Sequence, residues 1–418
     1  MKNIKEKALN SKTFCMYPFI HFATTTDGGV RTCCRGENIG NIKKDNFKNL
    51  WNNEYYKNIR KELLTGNKPE KCFRCWNDEE NNIPSMRQRS KDALFKEFSD
   101  QLDKLDDQYN MPFEIKTFEA KLSNLCNLKC RMCSPLESSS LHADWKKLQS
   151  ILPEIHDSNK FKLRNKSYIN DWYNNGFWDD FKLVAPHLSR IDFAGGEPLI
   201  DPSHYKVMDL ILPYTKNISL DYSTNLSIIN YKKNNLDELW QKFKNVELSL
   251  SIDGIDDIYN YIRQNGNYDT LRSNIKEVQT YKNIKEIRGH CTFQIYNIFS
   301  LPEIFDAFVE DLNINIFTYR VLCPPYLDMR IIPTSIKDKL IKKLQQYKDG
   351  IENKTHPNWT SKHKQQAING TNEQISHLLS CDLHKNLLEE FVLYSDNMDK
   401  IQNVKYTWRE LIPELKYV

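Results

Sequence analysis

Apolar runs of strand length recur through the middle of the chain, near residues 114–123, 189–194, 218–224, 246–252, 287–296 and 314–322. Segments with helical spacing separate most of them, near 203–213, 235–244, 255–283 and 298–311. Repeated strand–helix units predict a parallel sheet, either open or curled toward a barrel, because each helix carries the chain back to start the next parallel strand. Within the strands, polar and apolar residues alternate. Glu247, Ser249, Ser251 and Asp253 alternate with Leu248, Leu250 and Ile252, and His290, Thr292 and Gln294 with Cys291, Phe293 and Ile295. Glu119, Lys121, Asp221 and Ser223 extend the polar set. A parallel strand covered on both faces is apolar throughout, so one polar face points to a lumen that holds a ligand; solvated edge strands are the alternative. In such sheets the chemistry gathers at the C-terminal strand ends.

Outside this region the pattern changes. Residues 17–24 and 29–33 predict two strands joined at Asp27-Gly28-Gly29. Asp45 or Asn46 caps a helix running to about Leu64, and Gly66-Asn67-Lys68-Pro69 ends it. The polar run 77–89 suggests a linker, followed by a charged helix near 90–108, and Met111-Pro112 opens the next domain. A long insert rich in Trp, Asn and Lys, 136–188, lies between the first two core strands. Trp145, Trp172 and Trp178 within it either cover the barrel mouth or pack on the barrel. After Cys323-Pro324-Pro325 helices take over. The expected domains are 1–110, 111–334 and 335–418.

Composition narrows the class. The 418 residues are 39% hydrophobic and 12% aromatic, enough to build a core, so global disorder is excluded. No run approaches the ~18 apolar residues of a membrane span, and the N-terminus lacks the apolar stretch of a secretory signal. A cytoplasmic protein is expected. The charge balance, 59 basic against 55 acidic residues, does not call for a polyanionic partner. Stretches such as Lys337–Lys343 read as solvated helix faces, not nucleic-acid sites. Eight of the 11 cysteines fall between residues 15 and 133. In a reducing compartment such clusters indicate metal or redox sites.

The first core strand runs into Cys126-Asn127-Leu128-Lys129-Cys130-Arg131-Met132-Cys133, a C-x3-C-x2-C loop. Three thiolates can hold three irons of a [4Fe–4S] cube and leave the fourth open to a small molecule, whereas an electron-transfer cluster takes four cysteines. Zinc with a remote fourth ligand is the structural alternative. The second strand ends in Gly195-Gly196-Glu197-Pro198, and in a chain with only 13 glycines such a pair signals close approach of the backbone to a ligand or a tight turn. The third ends in Ser223-Thr224-Asn225 and the fourth in Ser251-Ile252-Asp253-Gly254.

Together these motifs resemble the radical S-adenosylmethionine (SAM) superfamily. Cys126, Cys130 and Cys133, followed by Ser134-Pro135 and Ser138-Ser139, look like its cluster loop. Gly195, Gly196, Glu197 and Pro198 look like its motif for the methionine amino group. Ser251 and Arg263 match positions that often contact the cofactor. Met132 departs from the pattern, since many members carry an aromatic there. The resemblance covers roughly residues 114–322. It implies an α/β fold built on a partial (β/α)6 TIM-type barrel, and an enzyme that cleaves SAM reductively to a 5′-deoxyadenosyl radical and abstracts hydrogen from a substrate. A one-electron reductant of the flavodoxin or ferredoxin type is implied as partner.

A second cysteine group precedes the barrel. Cys15, Cys33-Cys34 and Cys72-x2-Cys75 suit a zinc site as well as an iron–sulfur site by spacing alone. With Pro18, Gly40-Asn41, Leu50-Trp51-Asn52 and Arg60 they resemble a SPASM or twitch module, which implies one auxiliary [4Fe–4S] cluster held by Cys15, Cys33, Cys72 and Cys75. Cys34 is the rival for Cys33, because neighbours at a strand end point oppositely. Such modules usually follow the barrel; here the module comes first, as in a smaller N-terminal-twitch group. Cys291 reads as a core thiol, Cys381 as inert, and Cys323 and His290 as either structural or substrate-facing. The implied substrate is a peptide or protein side chain; a sugar, nucleoside or other small metabolite is the alternative, and a non-catalytic iron–sulfur or zinc scaffold a third reading.

Overall fold

The computed structural model describes residues 4–80, 84–152, 171–174, 176–380 and 382–417. Cys381 and residues 153–170 and 175 of the 136–188 insert lie outside them. The strands are β1 (His21–Thr24), β2 (Gly29–Arg31), β3 (Gly40–Asn41), β4 (Thr117–Lys121), β5 (Lys129–Cys130), β6 (Arg190–Ala194) and β7 (Ser219–Thr224). They continue as β8 (Asn230–Tyr231), β9 (Asn234–Asn235), β10 (Asn245–Ser251), β11 (Arg263–Gln264), β12 (Ile284–Phe293) and β13 (Asn315–Arg320). All six expected core strands are present as β4, β6, β7, β10, β12 and β13. The α/β class is borne out, with parallel pairing and a helical C-terminal region of Thr334–Gly350, Ser361–Ser380 and Lys385–Gln402.

The chain packs as two compact units, one of residues 1–124, 168–221 and 242–245, the other of 125–167, 222–241 and 246–418. In the first, β6 and β4 pair in parallel, Glu119 opposite Asp192. β4 pairs in parallel with β1, Glu119 opposite Ala23, so the N-terminal segment extends the sheet. β2 and β3 follow antiparallel. The core is aromatic: the Phe22 and Phe47 rings lie 4.2 Å apart, with Phe118, Phe177 and Phe181 around them. Arg60 is fully buried among them, 4.6 Å from the Trp51 ring, and donates to the carbonyls of Pro18 (2.8 Å) and Trp51 (3.0 Å). A buried guanidinium is tolerated because its donors find acceptors and its flat faces meet rings.

Four local expectations are corrected. Tyr17–Ile20 is a helical turn rather than strand, with Pro18 in a first-turn position that needs no N–H. The expected helix to Leu64 is two helices, Phe47–Trp51 and Glu54–Leu64. Asn46 caps the first through Asn49 N (2.7 Å) and Asn53 caps the second through Tyr56 N (2.9 Å). Residues 77–80 belong to the helix Phe73–Glu80, not a linker, and Ser85 opens Met86–Phe98 with a capping box to Gln88. The 255–283 segment divides into Asp256–Ile262, β11 and Tyr268–Val278.

In the second unit β10, β12 and β13 run parallel, Ser251 opposite His290 and His290 opposite Phe317. Leu248, Leu250, Cys291 and Phe293 are buried on the other face. A Cβ on Gly289 would stand 2.5 Å from Phe308, and one on Gly370 2.8 Å from Thr318, so a helix packs directly against the strand there.

Candidate functional site: two thiol clusters and a Gly-Gly turn

The N-terminal thiols converge. Cys15 precedes the helical turn, Cys33 follows β2, and Cys72 and Cys75 sit at the start of the helix Phe73–Glu80. All four line one cavity, with Tyr17, Arg35, Trp76, Met86 and Arg87 among its walls. Burial, and secondarily the neighbouring thiols, push Cys33 and Cys72 up to about 12, and burial raises Cys15 as well. Backbone N–H groups oppose this, from Tyr17 toward Cys15 and from Arg35 and Gly36 toward Cys33. Buried thiols that repel one another as anions, each offered backbone N–H donors, form a donor set that a cation holds together.

Cys34 is placed differently. Its sulfur lies 3.3 Å from Met86 Sδ, and Glu119 is the first charge that opposes its ionisation. It does not line the cavity. Among the described residues no three Cys, His, Asp or Glu side chains already stand in the arrangement of a single-ion site.

In the second unit the triplet loop is built on a two-residue ladder, β5 against β11, that sets Cys130 opposite Arg263. Arg263 Nη1 lies 3.5 Å from Cys130 Sγ, and its Nη2 is 2.5 Å from Asp253, which is fully buried. The hydrogen bond between Cys133 and Cys130 pushes Cys133 up and, with help from Arg263, lowers Cys130. Asn225 Nδ2 stands 4.0 Å from Cys126 Sγ. Two serines after the triplet hold the loop: Ser138 donates to Leu128 O and Ser140 to Cys126 O, both at 2.6 Å. Arg263 therefore meets the thiols themselves. Ser251 is half-buried at the end of β10. The ion-pair partner Asp253 lies in the Ser-Ile-Asp-Gly motif, ten residues before Arg263.

Arg131 and Asp399 escaped the sequence. Arg131 is fully buried, 2.6 Å from Asp399 Oδ1 and 4.4 Å from the Tyr261 ring. Tyr261 donates to the same carboxylate at 2.8 Å, and Tyr394 donates to Arg131 O at 2.7 Å. A pairing across 268 residues leaves no local trace.

The Gly-Gly turn lies in the first unit. Gly195 has φ +115°, and a Cβ there would meet Ser123 O at 3.0 Å, while Gly196 N donates to Ser123 O at 3.0 Å. Ser123 is three residues before Cys126 in the chain. Glu197 is buried and accepts from Leu199 N (3.1 Å). Pro198 opens the short helix Pro198–Ile200.

Residues 15–76 match SPASM, the iron–sulfur cluster-binding domain. The matched span holds all four cavity thiols, and the expected SPASM resemblance is borne out there. No curated protein matches the chain. Among solved structures, native anSMEcpe with bound AdoMet is 17% identical, with 57% of this chain and 61% of that chain covered and a TM-score of 0.37. The chain thus spans about three fifths of that protein's length. Streptococcus suis SuiB bound to S-adenosylmethionine is 14% identical over 71% and 64% of the two chains (TM-score 0.35). SuiB bound to the precursor peptide SuiA is 16% identical over 80% and 70% (TM-score 0.36). Among the described residues no helix is long and apolar enough to cross a membrane.

Proposed function

We propose that the chain is a radical SAM enzyme in which Cys126, Cys130 and Cys133 hold a [4Fe–4S] cluster with one open iron. Cys15, Cys33, Cys72 and Cys75 hold an auxiliary cluster. The observation that carries the reading is the three-thiol loop, with Arg263 beside Cys130 and nothing but sulfur as the metal donor in the motif. When bound, the cluster and SAM supply an electron and a 5′-deoxyadenosyl radical that takes a hydrogen atom from substrate.

The chain's own residues do the rest. The hydrogen bond from Cys133 and the charge of Arg263, which Asp253 holds in place, favour the Cys130 thiolate, which is the ligating form. Gly195 and Gly196 keep the turn free of side chains so that backbone groups can approach a cofactor, and Glu197, fixed on Leu199 N, serves the methionine end. Ser251 contributes a hydroxyl at a C-terminal strand end, where ligands gather in α/β sheets. Residues 1–110 act as the auxiliary-cluster module, 111–334 as the catalytic core and 335–418 as a helical support.

The substrate in this reading is a peptide or protein side chain, which is common among enzymes with SPASM or twitch modules. The reductant is a flavodoxin or ferredoxin, and the compartment is the cytoplasm, where thiols stay reduced. Anaerobic reconstitution tests the reading. Two cubes bring about eight irons and eight sulfides per chain, and dithionite with SAM should release 5′-deoxyadenosine. Tightly bound zinc and intact SAM would leave a scaffold protein instead.

A further inference from the structure

The auxiliary-cluster cavity carries a group that its ligands do not use. Arg35 follows the Cys33-Cys34 pair and lines the same cavity as the four thiols. Its Nη2 is held 2.7 Å from Asp78 Oδ2, while its Nε is buried and has no hydrogen-bond partner. A buried N–H left without an acceptor is destabilising unless something accepts it. Its backbone N–H is already directed at Cys33. The second cavity guanidinium, Arg87, is committed elsewhere: Nε and Nη2 to Glu79 (3.0 and 2.6 Å) and Nη1 to Phe14 O (3.1 Å), with its Cζ 4.9 Å from the Trp76 ring centre.

We infer that Arg35 sets the reduction potential of the auxiliary cluster by donating its Nε–H to a cluster or cysteine sulfur. The inference rests on the cluster reading of this cavity. Reduction adds one electron and no proton, so the extra negative charge falls on sulfurs facing a guanidinium. Hydrogen bonds and positive charge there favour the reduced form. Asp78 is built in opposition: it fixes the guanidinium and partly cancels its charge.

The test isolates this cluster in the full-length chain by replacing Cys126, Cys130 and Cys133 with alanine, followed by anaerobic reconstitution and an EPR-monitored redox titration. At the poise where the parent is half reduced, Arg35→Leu is expected to lower the reduced-to-oxidised ratio about tenfold, which for a one-electron couple is 59 mV. Arg35→Lys, which keeps the charge but not the Nε donor, should fall between the two. Asp78→Asn should raise the ratio. An unchanged ratio in Arg35→Leu with iron content intact overturns the proposal. So does a shift of the same sign in Arg35→Leu and Asp78→Asn, which would mean a loosened site rather than an electrostatic effect. If Arg35→Leu loses its iron, the lysine and asparagine variants decide by the same signs. Failure of the cluster reading looks different: the parent triple-alanine chain would hold no iron.

Discussion

Arg131, which sits between the second and third cysteines of the triplet, is fully buried and meets Asp399, on the C-terminal helix Lys385–Gln402, at 2.6 Å. The triplet loop is therefore anchored by a residue far along the chain. Losing one partner of a buried ion pair costs about 3–5 kcal/mol, because the other charge stays uncompensated, whereas replacing both by apolar groups is often neutral. Asp399→Asn should lower stability by that order in urea unfolding. It should also reduce the iron held by the triplet while leaving the auxiliary iron in place. The double variant Arg131→Met/Asp399→Leu should recover most of the stability; if it is as unstable as the single variant, the ion pair is not the anchor.

His204 is fully buried with Phe193 and Tyr205 against its ring at 4.6 Å each, and burial lowers it to about 3. An unfolded histidine titrates near 6.5. Between those values the unfolded chain binds the proton that the folded chain refuses, so stability is full above pH 6.5 and falls as pH drops. At pH 5 the cost is about 2 kcal/mol from this one group. His204→Phe should flatten that part of the stability–pH curve, read by urea midpoints at pH 7 and pH 5. A wild-type-like slope in the variant would assign the loss to other groups.

Cys33 and Cys34 separate by environment. Cys33 shares the cavity with three other thiols and faces the Arg35 and Gly36 N–H groups, while Cys34 turns to Met86. Cys33→Ala should drop reconstituted iron from about eight to about four per chain, and Cys34→Ala should leave it near eight. The reverse pattern would exchange the two roles.

Gly195 occupies a backbone conformation closed to most side chains, and an alanine there would press on Ser123 O. Strain of this kind costs about 1–3 kcal/mol. Gly195→Ala should keep both clusters by iron analysis yet slow 5′-deoxyadenosine release at least tenfold. Release at the wild-type rate would remove the turn from the cofactor site.

Short-range chemistry was legible in the sequence. The six core strands showed in the apolar alternation, the Asn46 cap in its residue type, and the two cysteine groups in their spacing. The errors lay where local preference is ambiguous. Pro18 and the apolar residues after it suit a strand or a helical turn equally, and Asn52-Asn53 is as good an interruption as a continuation until Asn53 is seen to cap.

By itself the sequence determined which donors exist and how far apart along the chain they stand: three cysteines in one short loop, five more spread over residues 15–75, and glycines at a strand end. Only the tertiary structure decided which cysteine of an adjacent pair turns inward, that Arg263 rests on Cys130, and that Asp399 secures Arg131. The physical reason is range. Motif spacing reflects constraints within a few residues, whereas ion pairs and cavity walls form between segments whose separation along the chain carries no energy of its own.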